Sequence, residues 1–572
     1  MGSAVRAIAL DYDGTLTLED APDPEVLAAV GQVRARGVAV ILVTGRIVSE
    51  LRADFPGVDD EFDAIVAENG AVMADRRGVR DLAEPVDPRL GQTLAHRDVI
   101  VRQGRVLLAC DAKHAGTVFD EVDRLGRDYQ LVRNRAALMV LPAGVTKATG
   151  LTHVLGELGI SRHSTIAVGD AENDHHLLAT CELGVAVSNA VESLKQRADL
   201  VLDEADGAGV ASLLQSPLVA GTETLPPRHW NLTLGQDDQR QAVRVPASQV
   251  NLLVTGGSCS GKSHLAGLLI EQLASMDYSV LVIDGEGDHT PLADRRGIIA
   301  VGGHDPLPSP EHLTALLRHR FGSVVLDLSH HDPPGQAAYL DTIAPAVLAQ
   351  RATTGLPHWI FVEEAHTLPV ASGPWADALA AGEKGLCLST YQPDLLPQTA
   401  RDAMDLVVIT AGNGTGADNA AAHSATHADV TTDELNEVLG NQRGRALLLS
   451  NNDDPPAAFT VSDRDSTHVR HWHKYITAAL PAQHRFYFGR PDQHRVAANL
   501  REFHRHLNTC QPETIARHAR QHDFSRWLHH VLQDEHLART VSHLERQLRA
   551  QTTSATTLQE AIRLAIENRY LE

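Results

Sequence analysis

The sequence predicts an α/β protein made of two successive parallel-sheet domains followed by a helical tail. Three observations carry this reading. Short apolar runs alternate with stretches of helical spacing over residues 4–214. A second series with the same rhythm begins at Gln249. From about Ser466 the apolar residues fall at helical intervals in a segment rich in His, Arg and Leu. Strand–helix alternation of this kind is the pattern of a parallel, doubly wound sheet.

In the first series Val5–Leu10, Val38–Val43, Ala64–Val66 and Thr165–Val168 read as strands, and Pro24–Arg36 and Thr146–Leu158 as helices. Residues 215–247 contain Pro217, Pro226, Pro227 and Pro246 and little apolar periodicity, so they read as a linker carrying one short edge hairpin. In the second series Leu252–Thr255, Val280–Ile283, Ser323–Leu326, Trp359–Val362, Leu386–Ser389 and Leu406–Ile409 are strands, with Arg445–Leu449 as a last one. The expected domains are 1–214, with a cap at about 48–142, then a linker at 215–247, 248–465 and 466–572.

The chain has 572 residues, which corresponds to roughly three or four domains. Its composition, 43% hydrophobic and 22% charged, is that of a soluble globular protein. The net charge of −23 excludes a global electrostatic attraction to nucleic acid, so any such binding needs a local patch. The five cysteines form no CxxC pair, which fits a reducing cytosol. The first residues lead into a strand rather than a signal peptide, and no apolar run approaches the ~20 residues a membrane helix needs. The expectation is a cytoplasmic protein with no membrane partner.

Two strand-end loops carry chemistry. The first is Asp11-Tyr12-Asp13-Gly14-Thr15, at the carboxyl end of a strand, where open α/β sheets place ligands. The first carboxylate can attack phosphorus. The second can protonate the leaving oxygen and later activate water. Thr44, in Leu42-Val43-Thr44-Gly45-Arg46, offers a hydroxyl for a phosphoryl oxygen, and Lys147, opening a helix after Gly144-Val145-Thr146, can neutralise the transferring group. Gly169-Asp170-Ala171-Glu172-Asn173-Asp174 ends another strand with carboxylates suited to Mg²⁺.

These four motifs, in this order, resemble the haloacid dehalogenase (HAD) superfamily of phosphatases, in its Cof-type and phosphoglycolate-phosphatase-like branch. The resemblance covers about 210 residues and implies a Rossmann-like core with an α/β cap entered at Glu68-Asn69-Gly70-Ala71. It implies that Asp11 is the nucleophile, Asp13 the acid/base, Thr44 a phosphate ligand and Lys147 its stabiliser. Asp11, the carbonyl of Asp13 and Asp170 would hold Mg²⁺, with Asp174 in support. The implied substrate is a small phosphomonoester.

The second loop is Gly256-Gly257-Ser258-Cys259-Ser260-Gly261-Lys262-Ser263, a P-loop between strand and helix. Its backbone N–H groups cradle phosphates, Lys262 reaches the β- and γ-phosphates, and Ser263 ligates Mg²⁺. Trp359–Val362 ends in Glu363 and Glu364, of which the first can assist Mg²⁺ and the second polarise water. Gln392 follows another strand, where it can sense the γ-phosphate. Asp284-Gly285-Glu286-Gly287-Asp288 ends the strand between them.

This series, roughly residues 230–465, resembles the HerA/FtsK-type ATPases, which implies a P-loop (RecA-like) domain that binds and hydrolyses ATP. It also implies DNA or RNA as a partner and a hexameric ring as the homo-oligomer. Glu363 stands where that family usually has Asp, and the longer side chain is expected to shift the metal and slow turnover. Arg401, Arg443 and Arg445 are candidates for an arginine finger. The tail holds 15 Lys+Arg against 10 Asp+Glu over residues 466–572 and reads as a helical domain with solvated or capping histidines.

Three whole-chain readings follow. The first is a bifunctional protein, a Mg²⁺-dependent phosphomonoesterase joined to an ATPase. The second is a nucleic-acid motor whose phosphatase processes ends or nucleotides in repair or defence. The third is a scaffold switched by ATP. A paired kinase and phosphatase fits less well, because paired acids favour ATP hydrolysis.

Overall fold

A computed structural model of the chain describes residues 5–18, 21–134, 136–257, 260–319, 322–367, 373–411, 444–451, 455–464, 485–488, 495–531 and 535–570. The chain divides into two compact units. The larger, residues 1–285 and 289–467, contains both large sheets, and the smaller consists chiefly of residues 468–572.

The first sheet has eight strands, in the order Leu200–Val201, Leu183–Ala186, Thr165–Gly169, Ala7–Asp11, Ala39–Val43, Ala64–Ala67, Val72–Asp75 and Gly78–Asp81. Pairing is parallel as far as Ala64–Ala67 and antiparallel beyond it. The central strands read as continuous apolar runs because helices cover both faces. One cover is Pro24–Ala35, which starts with Pro at its first turn and buries Val26, Ala29, Val30 and Val33, an i, i+3, i+4, i+7 stripe.

The cap is smaller than the expected span of about 48–142. Residues 48–81 form two short helices and three strands of the main sheet. Ala64–Ala67 is fully buried and pairs in parallel with Ala39–Val43, which leaves it no freedom to join a separate layer. The separate cap sheet has four antiparallel strands, Val101–Gln103, Leu108–Asp111, Ala137–Pro142 and Tyr129–Asn134. Helices Pro88–Ala95 and Ala115–Leu125 accompany it around their own apolar cluster of Leu90, Leu94, Val118 and Val140.

Among the described residues the second sheet has eleven strands. Seven are mutually parallel, in the order Leu406–Thr410, Leu252–Thr255, Leu386–Thr390, Trp359–Val362, Val280–Asp284, Ser323–Asp327 and Ile298–Gly302. Arg445–Ser450, Ala457–Val461 and the hairpin Asn231–Gln236/Ala242–Pro246 extend it antiparallel at one side. The edge hairpin expected within 215–247 is this one, and it joins the sheet through Ala457–Val461. The strand tips at Thr255, Val362, Asp284, Thr390 and Thr410 all lie along its carboxyl edge.

The smaller unit contains five helices among its described residues, packed around Phe486, Phe488, Phe503, Phe524 and Trp527. Three of its histidines pair with carboxylates: His518 with Asp523 at 2.8 Å, His522 with Glu545 at 3.0 Å and His504 with Glu567 at 2.9 Å. Among the described residues, no helix is long and apolar enough to cross a membrane.

Candidate functional sites

The first site is built by adjacent strand tips. Asp11 is in register with Val43, so Thr44 leaves the next strand beside it, and Leu10 faces Val168, so Asp170 leaves the strand on the other side. Asp11, Asp170 and Asp174 are buried, and one oxygen of each lies within 4.8 Å of the other two. Lys147 Nζ donates to Asp11 Oδ1 at 2.5 Å and to Asp174 Oδ1 at 2.7 Å. Asp174 Oδ2 accepts from the backbone N–H groups of Asp170 and Ala171, each at 3.1 Å. The Thr15 hydroxyl lies 3.3 Å from Asp11 Oδ2 and 3.4 Å from Asp170 Oδ1.

Charge balance at this site rests on the lysine. Burial pushes the Asp11 carboxyl well above the usual carboxylate range and Asp174 adds to the rise, while Lys147 opposes both. Burial alone would lower the Lys147 ammonium, but Asp11 and Asp174 outweigh it and raise it above its ordinary value. Lys147 is also the first residue of helix Lys147–Leu158, where the helix dipole disfavours a cation, so the carboxylates must offset that as well. Thr146 caps the helix, accepting from Thr149 N–H at 3.2 Å in a reciprocal capping box.

Glu68, Asn69 and Gly70 hold this helix start in place. All three have positive φ, of 52°, 57° and 104°. A Cβ on Gly70 would sit 1.9 Å from the Thr146 carbonyl oxygen, so only glycine permits the contact. Glu68 is fully buried, and its carboxylate accepts N–H bonds from Arg105 at 2.9 Å, Val106 at 2.8 Å and Leu107 at 3.0 Å. A core residue thus fastens a turn of the cap sheet. The sequence reading placed Glu68 at the cap entry but missed this role.

Asp13 stands apart from the three buried carboxylates. Its carboxylate accepts from Arg46 Nη2 at 2.7 Å and Nε at 3.0 Å, and Arg46 also reaches Asp54 at 2.8 Å and lies over the Tyr12 ring at 4.9 Å. Thr44 is fully buried, and its hydroxyl accepts from Arg46 N–H at 3.1 Å. The chemistry of the donor set fits Mg²⁺: hard carboxylate oxygens converge from two strand tips, and one buried cation leaves their charge only partly neutralised.

At the second site Lys262 Nζ donates to the carbonyls of its own loop, Gly256 O at 3.2 Å and Gly257 O at 3.0 Å. Ser260 Oγ lies 2.5 Å from Thr410 Oγ1, which donates to Thr255 O at 3.1 Å. Gly256 has φ of 144°, and a Cβ there would meet Thr410 at 2.5 Å. Gly261 precedes the helix Lys262–Ser275, and Ser263 is half-buried in its first turn. Ser258 and Cys259 lie outside the described residues.

Glu363 is buried and accepts from His289 Nε2 at 2.9 Å, while Asp284 Oδ2 accepts from His289 N–H at 2.8 Å. Burial alone would raise Glu363, but His289, Ser389 and the nearby Lys262 outweigh it and hold the carboxyl below its ordinary value. His289 directly follows the Asp284–Asp288 segment, one residue beyond the motif read from sequence. Glu364 is buried with φ of 48°, and its Oε2 lies 3.4 Å from His366 Nδ1. His366 Nδ1 is also 2.9 Å from Thr390 Oγ1.

Gln392 is exposed, with its backbone N–H donating to Thr390 Oγ1 at 3.0 Å. Tyr391, at the same strand tip, has its ring centre 5.9 Å from Lys262 Nζ. Arg401 donates to Gln398 at 2.6 Å and Arg445 to Asp238 at 2.5 Å, so both engage their own chain. Arg443 lies outside the described residues.

Comparison with known proteins follows this division. Residues 8–85 and 105–214 match the haloacid dehalogenase-like hydrolase family, and residues 246–334 match the central domain of helicase HerA. The chain is 32% identical over 223 residues to a phosphoglycolate phosphatase of Archaeoglobus fulgidus, covering 37% of this chain and 96% of that protein. It is 30% identical over 234 residues to the phosphoglycolate phosphatase of Methanopyrus kandleri, covering 36% and 95%. A haloacid dehalogenase-like hydrolase structure from Bacteroides thetaiotaomicron is 22% identical with a TM-score of 0.32, covering 37% of this chain and 98% of that one.

Proposed function

Through residues 8–214 the chain belongs to the haloacid dehalogenase-like hydrolases, and on that premise we propose that it hydrolyses small phosphomonoesters at Asp11 and ATP at the Lys262 loop. The observation that carries the first activity is the buried Lys147, which bridges Asp11 and Asp174. Lys147 sets its ammonium against Asp11 and so opposes the protonation that burial favours in the attacking carboxylate.

Asp11 Oδ attacks phosphorus, the ester P–O bond breaks, and Asp13 gives a proton to the leaving oxygen. Asp13 then takes a proton from water, whose oxygen attacks the aspartyl-phosphate, releasing phosphate and restoring Asp11. Arg46 orients Asp13 for both transfers, and the Thr44 hydroxyl faces the phosphoryl oxygens. Asp11, Asp170 and the backbone carbonyl of Asp13, with Asp174 in support, would hold Mg²⁺, which would shield charge between the carboxylate and the incoming phosphoryl group.

In the second domain Glu363 and Ser263 serve the metal of Mg-ATP and Glu364 orients water. The HerA-domain match favours a second whole-chain reading, a motor on DNA or RNA working as a ring. A screen of phosphomonoesters tests these readings. It includes phosphoglycolate, nucleotides and 3′- or 5′-phosphorylated oligonucleotides, with and without ATP. Turnover of a small phosphomonoester supports the first reading. Preference for oligonucleotide ends, with ATP hydrolysis stimulated by DNA in a ring-sized particle, supports the second. No turnover of any phosphomonoester would refute the phosphatase.

A further inference from the structure

The first domain grips the P-loop helix at its far end. The 14-residue helix Lys262–Ser275 begins in the phosphate loop and spans roughly 21 Å. The next residue, Met276, offers its carbonyl to Arg162 Nη2 at 2.9 Å, and His163 Nε2 lies 2.7 Å from the same oxygen. A cation at a helix carboxyl end is electrostatically favoured. Arg162 also pairs with Asp277 at 3.0 Å.

Around this point the two domains form a buried polar seam. The Glu182 carboxylate accepts from Tyr278 OH at 2.9 Å and from the Ser248 hydroxyl, and it lies 2.9 Å from His163 Nδ1. The His163 and Tyr278 rings stack with centroids 3.6 Å apart. Ser279 N–H donates to His358 Nδ1 at 2.8 Å, which draws a second strand of the ATPase sheet into the same cluster. Glu182, His163, Tyr278, Ser248 and His358 are all buried. Such a network is satisfied only while both domains keep their mutual position.

The seam lies at the amino ends of strands whose carboxyl ends carry the chemistry. Arg162–Ser164 leads directly into Thr165–Gly169 and so to Asp170. Tyr278 and Ser279 precede Val280–Asp284, and His358 precedes Trp359–Val362 and so Glu363. Both sites are therefore tied to the seam by single rigid elements.

We propose that nucleotide occupancy of the Lys262 loop is transmitted to the Asp11 site through the P-loop helix and this seam. The inference rests on the reading that the loop binds nucleotide. Lys262 must leave the Gly256 and Gly257 carbonyls to meet a phosphate, and that rearrangement occurs at the first residue of the helix. The other end of the helix is held by Arg162 and His163, so its displacement reaches the strand that presents Asp170.

The test uses the full chain, p-nitrophenyl phosphate for the phosphatase and Mg²⁺ with the non-hydrolysable analogue AMP-PNP for the loop. AMP-PNP binding is measured separately with a fluorescent nucleotide. Saturating AMP-PNP is expected to change phosphatase kcat/KM by about fivefold, the lower end of ordinary site-to-site coupling. Arg162→Ala and the milder Tyr278→Phe are expected to keep the basal phosphatase rate and the AMP-PNP affinity while losing that response. If AMP-PNP binds and the wild-type phosphatase does not respond, the coupling is refuted and the nucleotide site stands. If AMP-PNP does not bind, both fall. A response undiminished in both variants would show that it does not pass through the seam.

Discussion

In the first domain Lys147 already points its charge at Asp11 and Asp174, 2.5 and 2.7 Å away, whereas in the second Lys262 donates to the carbonyls of its own loop. Both lysines are buried and both open a helix at a strand tip. They differ in what surrounds them. Around Lys147 two carboxylates, Asp11 and Asp174, reach the ammonium from two different strand tips. Lys262 donates to the carbonyls of Gly256 and Gly257, which a triphosphate would replace. A site whose lysine is held by carboxylates is assembled before substrate arrives, and one whose lysine donates to its own loop carbonyls is rearranged by its ligand.

Removal of either lysine tests this contrast most severely. Lys147→Ala is expected to lower phosphatase kcat by at least about 10²–10³-fold, as for loss of a preorganised charge, while leaving nucleotide affinity intact. Steady-state rates and nucleotide titration on the same preparation check both halves. Lys262→Ala is expected to abolish ATP hydrolysis and leave the basal phosphatase rate unchanged. A smaller effect, about 10- to 100-fold in ATP turnover, is expected for His289→Asn, because His289 orients Glu363 without meeting phosphate. Phosphate-release kinetics read that loss.

Glu68→Ala leaves three cap N–H groups without their buried acceptor, at a cost of about 1–3 kcal/mol. A lower Tm and a raised phosphatase KM, with kcat less affected, are the expected signs. The smallest effect belongs to Arg445→Ala, whose partner Asp238 is largely exposed. It should alter stability by no more than about 0.5 kcal/mol in denaturant unfolding, unlike an arginine finger, which would cost ATP turnover.

Much of this was legible in the sequence because the chemistry sits at strand ends. Asp11, Asp170, the P-loop and Glu363 each follow an apolar run that is itself a strand, so motif and scaffold are read together. The partners that orient these groups were not legible. Glu68 reaches Val106 and Glu182 reaches Tyr278, contacts that neither spacing nor periodicity encodes.

Strands were missed for a local reason. Ile298–Gly302 is an edge strand with only its first residue buried, and Ala457–Val461 pairs antiparallel beyond the parallel run and buries only Phe459 fully. Neither shows the dense apolar signal of a central strand. The cap was drawn too large because Ala64–Ala67 lies between the Thr44 and Lys147 motifs in sequence, while its pairing puts it in the core.

In the proposed reaction Asp11 itself carries the phosphoryl group. The most direct test is to stop the wild-type protein during turnover of a phosphomonoester, reduce acyl phosphates with borohydride and map the modified residue by peptide mass spectrometry. Conversion of Asp11 is expected, dependent on substrate and absent from Asp11→Asn, which is itself inactive. Modification at another residue, or turnover by Asp11→Asn at the wild-type rate, would contradict it.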